Sequence, residues 1–353
     1  MIRLEARQSV PGWLRLASAA GAGLAALALV AIPIAAAGVD VLEAYALMAK
    51  GAFGSVFAAS ETLTRATPLI LTGLAAAVAF RAKLWNIGAE GQLYAGALAA
   101  VAVGSGAISA PPAVMVPMVL AAGALAGALL MLGPALLKLR FGADEVVTTL
   151  LLNFVVLLFV QMMLEGPMKD PMGLGWPQSM PVTDEASLPK LMARTRLHAG
   201  LVIGLVLAVA VAVLLRRTVW GFEIRAVGEN EAAARYAGIP VTATMVRVAL
   251  ISGGLAGLAG VGEVAGLKGY LTSDLSPGFG YAGIVVAMLA GLSPLGVIAA
   301  ALFIAGVFVG ADSMSRATGV SNYLADLVVA MSLLCVLVGG FLTRFRIRLK
   351  RGR

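Results

Sequence analysis

The residues of this chain that could do chemistry are polar side chains set between long apolar runs. Asn86, Glu90 and Gln92 lie between an apolar run that ends near residue 80 and another that begins near residue 91. A charged group inside a bilayer costs about 2.5–3.5 kcal/mol on insertion scales, so such a position is a functional hypothesis by default. These side chains either line a pathway or set the geometry of a broken helix, or they merely cap helix ends at the cytoplasmic face. We favour the structural or gating role over direct ligand contact.

Three further side chains complete the set of candidate pathway or gating residues. Asn153 lies two turns into a later apolar run, either as a pathway ligand or as an interhelical hydrogen-bonding group. Phe279 and Tyr281 flank a short apolar segment, and an aromatic ring can stack on a flat base. The single histidine, His198, stands among arginines at the foot of an apolar run and is expected to be a solvated interfacial residue.

The composition excludes an ordinary soluble domain. Hydrophobic residues make up 60% of the 353 residues and charged residues only 12%, against roughly 45–50% and about 25% in soluble chains. The net charge of +8 could indicate nucleic-acid binding, but most Lys and Arg residues fall in loops on one predicted side of a membrane, which explains the excess. The single cysteine excludes an internal disulfide and a cysteine-cluster metal site. We expect no metal and no cofactor in this chain.

Ten apolar segments predict the fold class. Backbone groups in lipid need internal partners, so these segments must be helices or protein-buried breaks in helices. The prediction is an all-α integral membrane protein with about ten transmembrane segments and cytoplasmic N- and C-termini. The segments lie near 14–37, 66–80, 91–110, 113–137, 146–164, 198–215, 246–266, 281–292, 295–311 and 321–342.

The same pattern divides the chain into three parts. Residues 1–16 are expected to form a cytoplasmic N-terminal segment, 17–342 a transmembrane domain, and 343–353 a basic cytoplasmic tail. Within the domain, the proline-rich stretch 165–198 predicts an irregular outside loop. Residues 216–245 are expected to form a cytoplasmic loop.

One apolar segment is too short to cross a membrane. At about 1.5 Å per residue, 281–292 covers only about 18 Å of a hydrocarbon core about 30 Å thick. Prolines and glycines on both sides of it predict a broken or re-entrant helix. The polar stretch 81–92 is a second irregularity, and paired irregularities are typical of the central site of a transporter.

The loop at 216–245 contains a predicted short helix outside the membrane. Asn230 is a good N-cap, Glu231 suits the positive end of the helix dipole, and Gly238 with Pro240 ends the helix. Either it merely connects two spans or it docks on a partner, with Arg235 and Tyr236 as anchors. The residues assigned to this helix are Gly228, Glu229, Asn230, Glu231, Ala232, Ala233, Arg235, Tyr236 and Gly238.

Four segments carry a family resemblance. The loop around 225–240 resembles the EAA-type coupling loop of ABC importer permeases. Residues 86–92, 143–153 and 278–287 resemble, in family order, the signatures of the branched-chain amino acid/simple sugar/nucleoside permease family. Within that family the chain is most similar to the longer permease subunit of nucleoside-type importers, although Asp144 stands where relatives commonly carry Asn.

The resemblance implies a division of labour. The chain would be the membrane permease of an importer in the cell inner membrane, paired with a second, non-identical permease, an ABC ATPase and an external substrate-binding protein. The expected cargo is a nucleoside, with simple sugars or riboflavin-like heterocycles as alternatives. The chain contains no G-x-x-x-x-G-K-[ST] phosphate loop, so we expect a partner to hydrolyse ATP and this subunit not to be an enzyme.

Two other classes of function compete with this interpretation. An ion-coupled secondary transporter needs titratable residues deep in the bundle, whereas the charges here are few and near the interfaces. A membrane scaffold gives no reason for two broken helices. The direction of transport rests on the resemblance alone.

Overall fold

The computed structural model describes residues 2–6, 24–25 and 27–349. Two short strands occur, β1 (Ile2–Ala6) and β2 (Phe345–Leu349). The described helices are α1 (Leu27–Ala36), α2 (Val41–Phe53), α3 (Val56–Arg81), α4 (Ala89–Gly104), α5 (Pro112–Phe141), α6 (Glu145–Glu165), α7 (Gly200–Arg217), α8 (Val219–Glu229), α9 (Glu231–Tyr236), α10 (Val241–Val261), α11 (Phe279–Leu289), α12 (Pro294–Thr318) and α13 (Asn322–Arg344).

The described residues contain 6 helices long and apolar enough to cross a membrane, or 7 if the bent pair α1–α2 counts as one span. The chain is therefore a helical integral membrane protein. The prediction of ten spans is not confirmed, because fewer than ten of the described helices have the length and apolar composition of a membrane span. The helix predicted at 91–110 is α4, which has only 16 residues, and α11 has only 11 residues, as expected for the broken segment.

The first predicted span differs from what the structure describes. Residues 7–23 and 26, which include nearly half of that span and most of the N-terminal segment, lie outside the described residues. α1 ends at Ala36, and the chain then bends by 113° into α2, which hydrophobicity alone did not predict. The sequence did contain an N-cap for α2, since the Asp40 side chain accepts a hydrogen bond from the Glu43 N–H at 2.8 Å.

α3 begins ten residues before the predicted apolar segment. Its early turns carry Thr62, Thr64 and Thr67, which lower the apolar signal but are buried. The most apolar window of this helix is 89% buried inside the protein. Because the helix faces protein rather than lipid, its polar hydroxyls find partners, as when Thr62 Oγ1 donates to the Ala52 carbonyl at 2.7 Å.

The chain forms two compact units. One contains residues 1–62 and 303–353, and the other contains residues 63–302. In the first unit β1 pairs antiparallel with β2, from Ile2 opposite Leu349 to Ala6 opposite Phe345. The all-α prediction therefore missed a short two-stranded ribbon.

The core of the second unit is built on glycine contacts. α10 packs against α5 and α4 at backbone distance, and a methyl group on Gly127 would overlap the carbonyl of Gly253. A methyl group on Gly96 would likewise overlap Gly257. Small residues four apart let membrane helices approach this closely.

The loop between α6 and α7 is irregular, as predicted, and contains a 3₁₀ turn at Asp184–Ala186. It pairs back on itself, with a bridge between Lys190 and His198. The expectation for His198 was wrong, because this side chain is completely buried. Its ring packs against Gly266, in a π-helical turn (Gly262–Lys268) that extends α10. Burial lowers the pKa of His198 to about 4.

Candidate functional site

Residues 82–88, between α3 and α4, form a break whose backbone groups are satisfied by side chains of α6 and of the break itself. The Trp85 N–H donates to Glu145 Oε1 at 3.3 Å, and the Ile87 N–H donates to Thr149 Oγ1 at 3.2 Å. The Gly88 N–H donates to Asn86 Oδ1 at 2.9 Å. Non-helical backbone is tolerated at membrane depth only with such partners, so these contacts make the break possible.

Asn86 and Gln92 form a closed amide pair. Asn86 Nδ2 donates to Gln92 Oε1 at 2.8 Å, and Gln92 Nε2 donates back to Asn86 Oδ1 at 2.9 Å. Asn86 Nδ2 also donates to Ser252 Oγ at 2.9 Å, which ties the pair to α10. Both side chains are buried, so in this arrangement their hydrogen-bonding groups are used within the protein.

Glu90 lies at the start of α4, but its carboxylate does not serve that helix. Its Oε2 accepts a hydrogen bond from the Gly280 N–H at 2.6 Å, at the first turn of α11. The carboxylate therefore contacts the N-terminus of α11 rather than that of its own helix. Glu90 is only 3% exposed, and a negative group at a helix N-terminus is stabilised by the helix dipole.

Asn153, on α6, joins the break to α11. Its Oδ1 accepts from the Gly91 N–H at 2.8 Å. Its Nδ2 donates to the Ile87 carbonyl at 3.0 Å and to the Tyr281 hydroxyl at 3.1 Å. Asn153 therefore makes interhelical hydrogen bonds, which was one of the two alternatives the sequence left open.

The two predicted aromatic residues have different surroundings. Phe279 is fully buried, its carbonyl accepts from Thr72 Oγ1 at 3.0 Å, and the Arg65 guanidinium lies 5.6 Å from its ring centre. Tyr281 is 39% exposed. Of the six predicted pathway or gating residues, Tyr281 is therefore the one with a large accessible surface in this arrangement.

The loop before α11 provides the cap of that helix. Ser276 Oγ accepts from the Gly278 N–H at 3.1 Å and from the Phe279 N–H at 2.9 Å. The Tyr94 hydroxyl, on α4, accepts from the Ser276 N–H at 3.1 Å and donates to the Ser273 carbonyl at 2.8 Å. The N-terminus of α11 is thus held by two residues of α4, Glu90 and Tyr94.

The opposite end of α11 is held by the last residue of α3. Arg81 Nη2 donates to the Leu292 carbonyl at 2.8 Å. Gly291 and Leu292 both have φ of +59°, and a left-handed conformation is unusual for a leucine. The turn that ends α11 is therefore strained, and Arg81 bonds to its second residue.

α8 and α9 form a surface element that we call the α8–α9 unit (residues 219–236). The Asn230 side chain accepts from the Ala233 N–H at 3.0 Å, which makes Asn230 the N-cap of α9 as predicted. Arg235 and Glu231 form an exposed ion pair at 2.8 Å. Tyr236 is 97% exposed, so α9 offers a large aromatic group to a partner.

α8 was not predicted, and it anchors α9 to the bundle. Glu223 forms an ion pair with Arg247 of α10 at 2.8 Å, and the Arg247 guanidinium lies 4.9 Å from the Trp220 ring centre. The last turn of α8 packs on the end of α3 so closely that a methyl group on Gly228 would overlap the Arg81 carbonyl. The signal for α8 was present, since Thr218 caps it by accepting from the Gly221 N–H at 3.1 Å.

These broken helices and the surface helix have the features expected of a permease, and the sequence comparison decides the family. Residues 58–337 match the family described as "Branched-chain amino acid transport system / permease component". The chain belongs to this permease family. It is a multi-pass protein of the cell membrane, as predicted, and its relatives are transport subunits.

Three related permeases match most of the chain. The "Glucose ABC transporter permease protein TsgB13" of Haloferax volcanii is 36% identical over 98% of this chain and 93% of its own length. The "Guanosine ABC transporter permease protein NupP" of Bacillus subtilis is 36% identical over 89% and 90%. The "Nucleoside ABC transporter permease protein NupB" of Lactococcus lactis is 32% identical over 85% and 84%. No solved structure matches.

All six predicted pathway or gating residues of the permease lie in the second unit, around the break at residues 82–88 and the start of α11. Arg81, Tyr94 and Ser276 were missed. Ser276 had a signal, because a serine shortly before an apolar helix is a common cap. Arg81 had none beyond its charge, since its partner carbonyl is 211 residues away in the sequence.

Proposed function

We propose that this permease is the transmembrane subunit of an ATP-driven importer for nucleosides. The observation that carries the proposal is the family match over residues 58–337 together with relatives named for guanosine and nucleoside transport. These relatives align over more than four fifths of both chains. The subunit performs no covalent chemistry, uses no cofactor of its own, and moves substrate across the membrane.

A glucose importer is the second candidate, and a specific observation favours it. TsgB13 is named for glucose and aligns over 98% of this chain. A weaker relative, 26% identical over 63% of the chain, is named a "Probable riboflavin import permease protein". Glucose, nucleosides and riboflavin share a chain or ring with several hydroxyl groups. We therefore infer a polyhydroxylated cargo, and prefer a nucleoside because two of the three relatives described above are named for guanosine or nucleoside transport.

Within this proposal, Tyr281 is the residue positioned to meet the cargo. Its ring is accessible, and its hydroxyl accepts from Asn153, which fixes the ring orientation. Aromatic rings bind nucleobases by stacking and sugars by their flat apolar face. Glu90, Asn86 and Gln92 act by setting the broken-helix geometry, because their polar atoms bind protein groups.

The proposed topology places both termini in the cytoplasm and ten segments in the membrane. The ten are α1, α3 to α7 and α10 to α13, of which α4 and α11 are too short to span alone and cross together with the non-helical residues beside them. The pairing of β1 with β2 supports an even number of crossings. The predominance of Lys and Arg in the loops on the same side as the termini supports a cytoplasmic location.

The proposed partners follow from the exposed α9 and from the family. α9 docks on an ABC ATPase, which supplies the ATP hydrolysis that a chain without a phosphate loop cannot perform. A second permease subunit completes the pathway, and an extracytoplasmic binding protein delivers the cargo. The presence of two guanosine permease relatives in Bacillus subtilis, 36% and 29% identical, supports non-identical pairing. Nucleotide-driven movement of the ATPases then reorients the bundle by alternating access.

The test is uptake by the reconstituted complex. This chain, the second permease, the ATPase and the binding protein are placed in proteoliposomes, and import of labelled guanosine, glucose and riboflavin is measured with ATP and without it. We expect ATP-dependent import of guanosine. Import of glucose alone would overturn the nucleoside assignment, and guanosine import that needs an ion gradient but no ATP would overturn the importer class.

A further inference from the structure

α11 is gripped at both ends by residues of one short stretch of chain, 81–90. At its N-terminus the Gly280 N–H donates to Glu90 Oε2 at 2.6 Å, and the backbones touch, because a methyl group on Gly280 would overlap Glu90. Beyond its C-terminus Arg81 Nη2 donates to the Leu292 carbonyl at 2.8 Å. Any displacement of the stretch 81–90 therefore acts on α11 from both sides.

The backbone on either side of α11 is flexible or strained near the hydrogen bonds made by Glu90 and Arg81. Gly278, before the helix, has φ of +91°. Gly291 and Leu292, after it, have φ of +59°. Glycine adopts this region freely, whereas leucine does so only when its surroundings hold it there. α11 therefore lies between two hinges, and Arg81 bonds to the strained residue of the second hinge.

The same arginine is in contact with the α8–α9 unit. Gly228 packs on the Arg81 carbonyl so closely that no side chain fits between them. Two residues after Arg81 in the chain, Lys83 Nζ donates to the Glu229 carbonyl at 3.3 Å. Arg81 therefore touches α8 through its backbone and α11 through its side chain.

The Arg81 guanidinium also has unused hydrogen-bonding capacity. Its Nε is buried and has no hydrogen-bond partner among the residues that the structure describes. A buried donor without a partner is costly, so its retention calls for an explanation other than stability. A side chain that must exchange partners between two arrangements explains such a spare donor.

We propose that Arg81 is a positioning residue that transmits movement of the α8–α9 unit to the short helix α11. The inference rests on the proposed function, in which α9 docks on an ATPase. Movement of α8 shifts Gly228 and the Arg81 backbone, the guanidinium changes its hold on the Leu292 carbonyl, and α11 turns on its glycine hinges. The ATPase is coupled to the pathway through this contact.

The first test compares three variants in the reconstituted four-component complex. Arg81→Met removes the bond to Leu292, Arg81→Lys keeps one charged donor, and Lys83→Met is the matched control, since it removes a neighbouring cation that bonds to α8 but not to α11. The readout is guanosine imported per ATP hydrolysed. We expect at least a tenfold loss for Arg81→Met, partial recovery for Arg81→Lys, and a change within twofold for Lys83→Met.

The second test reports on α11 itself and needs no transport. Leu289 is 41% exposed at the end of α11, and the single native cysteine is replaced by Cys335→Ser. In this background we expect the maleimide labelling rate of Leu289→Cys to change at least threefold when ATP and vanadate are added. The change should disappear with Arg81→Met and persist with Lys83→Met.

The outcomes separate the inference from the proposed function. Wild-type vesicles that import no cargo with ATP overturn the proposed function, whatever the labelling shows. Wild-type import together with an unchanged cargo-to-ATP ratio and unchanged labelling response in Arg81→Met overturns the role of Arg81. If the Arg81→Met complex does not assemble, Arg81→Gln takes its place, since glutamine keeps an uncharged amide donor. The same two measurements, the cargo-to-ATP ratio and the labelling response, then decide the role of Arg81.

Discussion

Replacing Glu90 by alanine should destabilise the permease and slow transport without changing cargo affinity. The side chain is 3% exposed, and its Oε2 accepts from the Gly280 N–H at 2.6 Å. The substitution leaves a buried N–H at the start of α11 without its acceptor. Loss of such a charge-assisted bond, with its partner left buried, costs about 2 kcal/mol.

The magnitude can be measured as a melting temperature. About 2 kcal/mol corresponds to a fall of about 4 to 8 °C for a unit of this size, read by size-exclusion chromatography of the detergent-solubilised complex after heating. Glu90→Gln keeps an oxygen acceptor but not the charge, so we expect roughly half the effect. Glu185→Ala removes an exposed carboxylate from the α6–α7 loop and should change little.

Transport kinetics distinguish the two roles that the sequence left open for Glu90. If the carboxylate holds α11, guanosine turnover by Glu90→Gln falls while KM stays within twofold of wild type. If the carboxylate contacts cargo, KM rises instead. A melting temperature of Glu90→Ala within 1 °C of wild type, or a tenfold rise in KM for Glu90→Gln, would refute the reasoning.

Three further predictions concern other parts of the molecule. Asn230→Ala removes the cap of α9, which costs about 1 kcal/mol, and should reduce the amount of ATPase that co-purifies; unchanged co-purification would argue against α9 as the docking helix. Gly127→Ala forces a methyl group against Gly253 and should cost about 1–3 kcal/mol in melting experiments, whereas Gly133→Ala, which meets nothing within 4 Å on the same helix, should be neutral. His198 is buried with a pKa of about 4, so as the pH drops the unfolded chain binds a proton at this residue before the folded chain does. The free energy of unfolding should therefore fall between about pH 6.5 and pH 4, by at most about 3 kcal/mol. Melting temperatures of His198→Gln that fall equally steeply over this range would contradict that assignment.

Hydrophobicity predicted the membrane helices best where they face lipid. α5, α6 and α7 lie close to their predicted bounds, because a lipid-facing helix must be apolar along its length. The early part of α3 and the whole of α2 were missed. Thr62, Thr64 and Thr67 of α3 are polar but buried in protein, and a hydropathy window cannot distinguish burial in protein from exposure to water.

The candidate site was predicted as a set of residues but not as a set of contacts. Glycine, proline and polar residues marked both breaks, because backbone that leaves a helix in a membrane needs flexible residues and hydrogen-bonding partners nearby. The pairing of Glu90 with Gly280 joins residues 190 apart in the sequence. Other polar side chains could also have accepted a hydrogen bond from the Gly280 N–H, so the spacing of residues in the sequence could not predict that Glu90 does.

The sequence by itself determined that this is a helical membrane protein with two broken segments, one capped surface helix and the signatures of a permease family. These follow from local rules, since crossing a bilayer, ending a helix and capping a helix depend on residues close together in the chain. Only the tertiary structure decided that Glu90 and Tyr94 hold the N-terminus of α11, that Arg81 holds its other end, and that His198 is buried. A buried polar group is stabilised by whichever partner the packed helices bring within hydrogen-bonding distance, and that choice is made by the packing of distant segments.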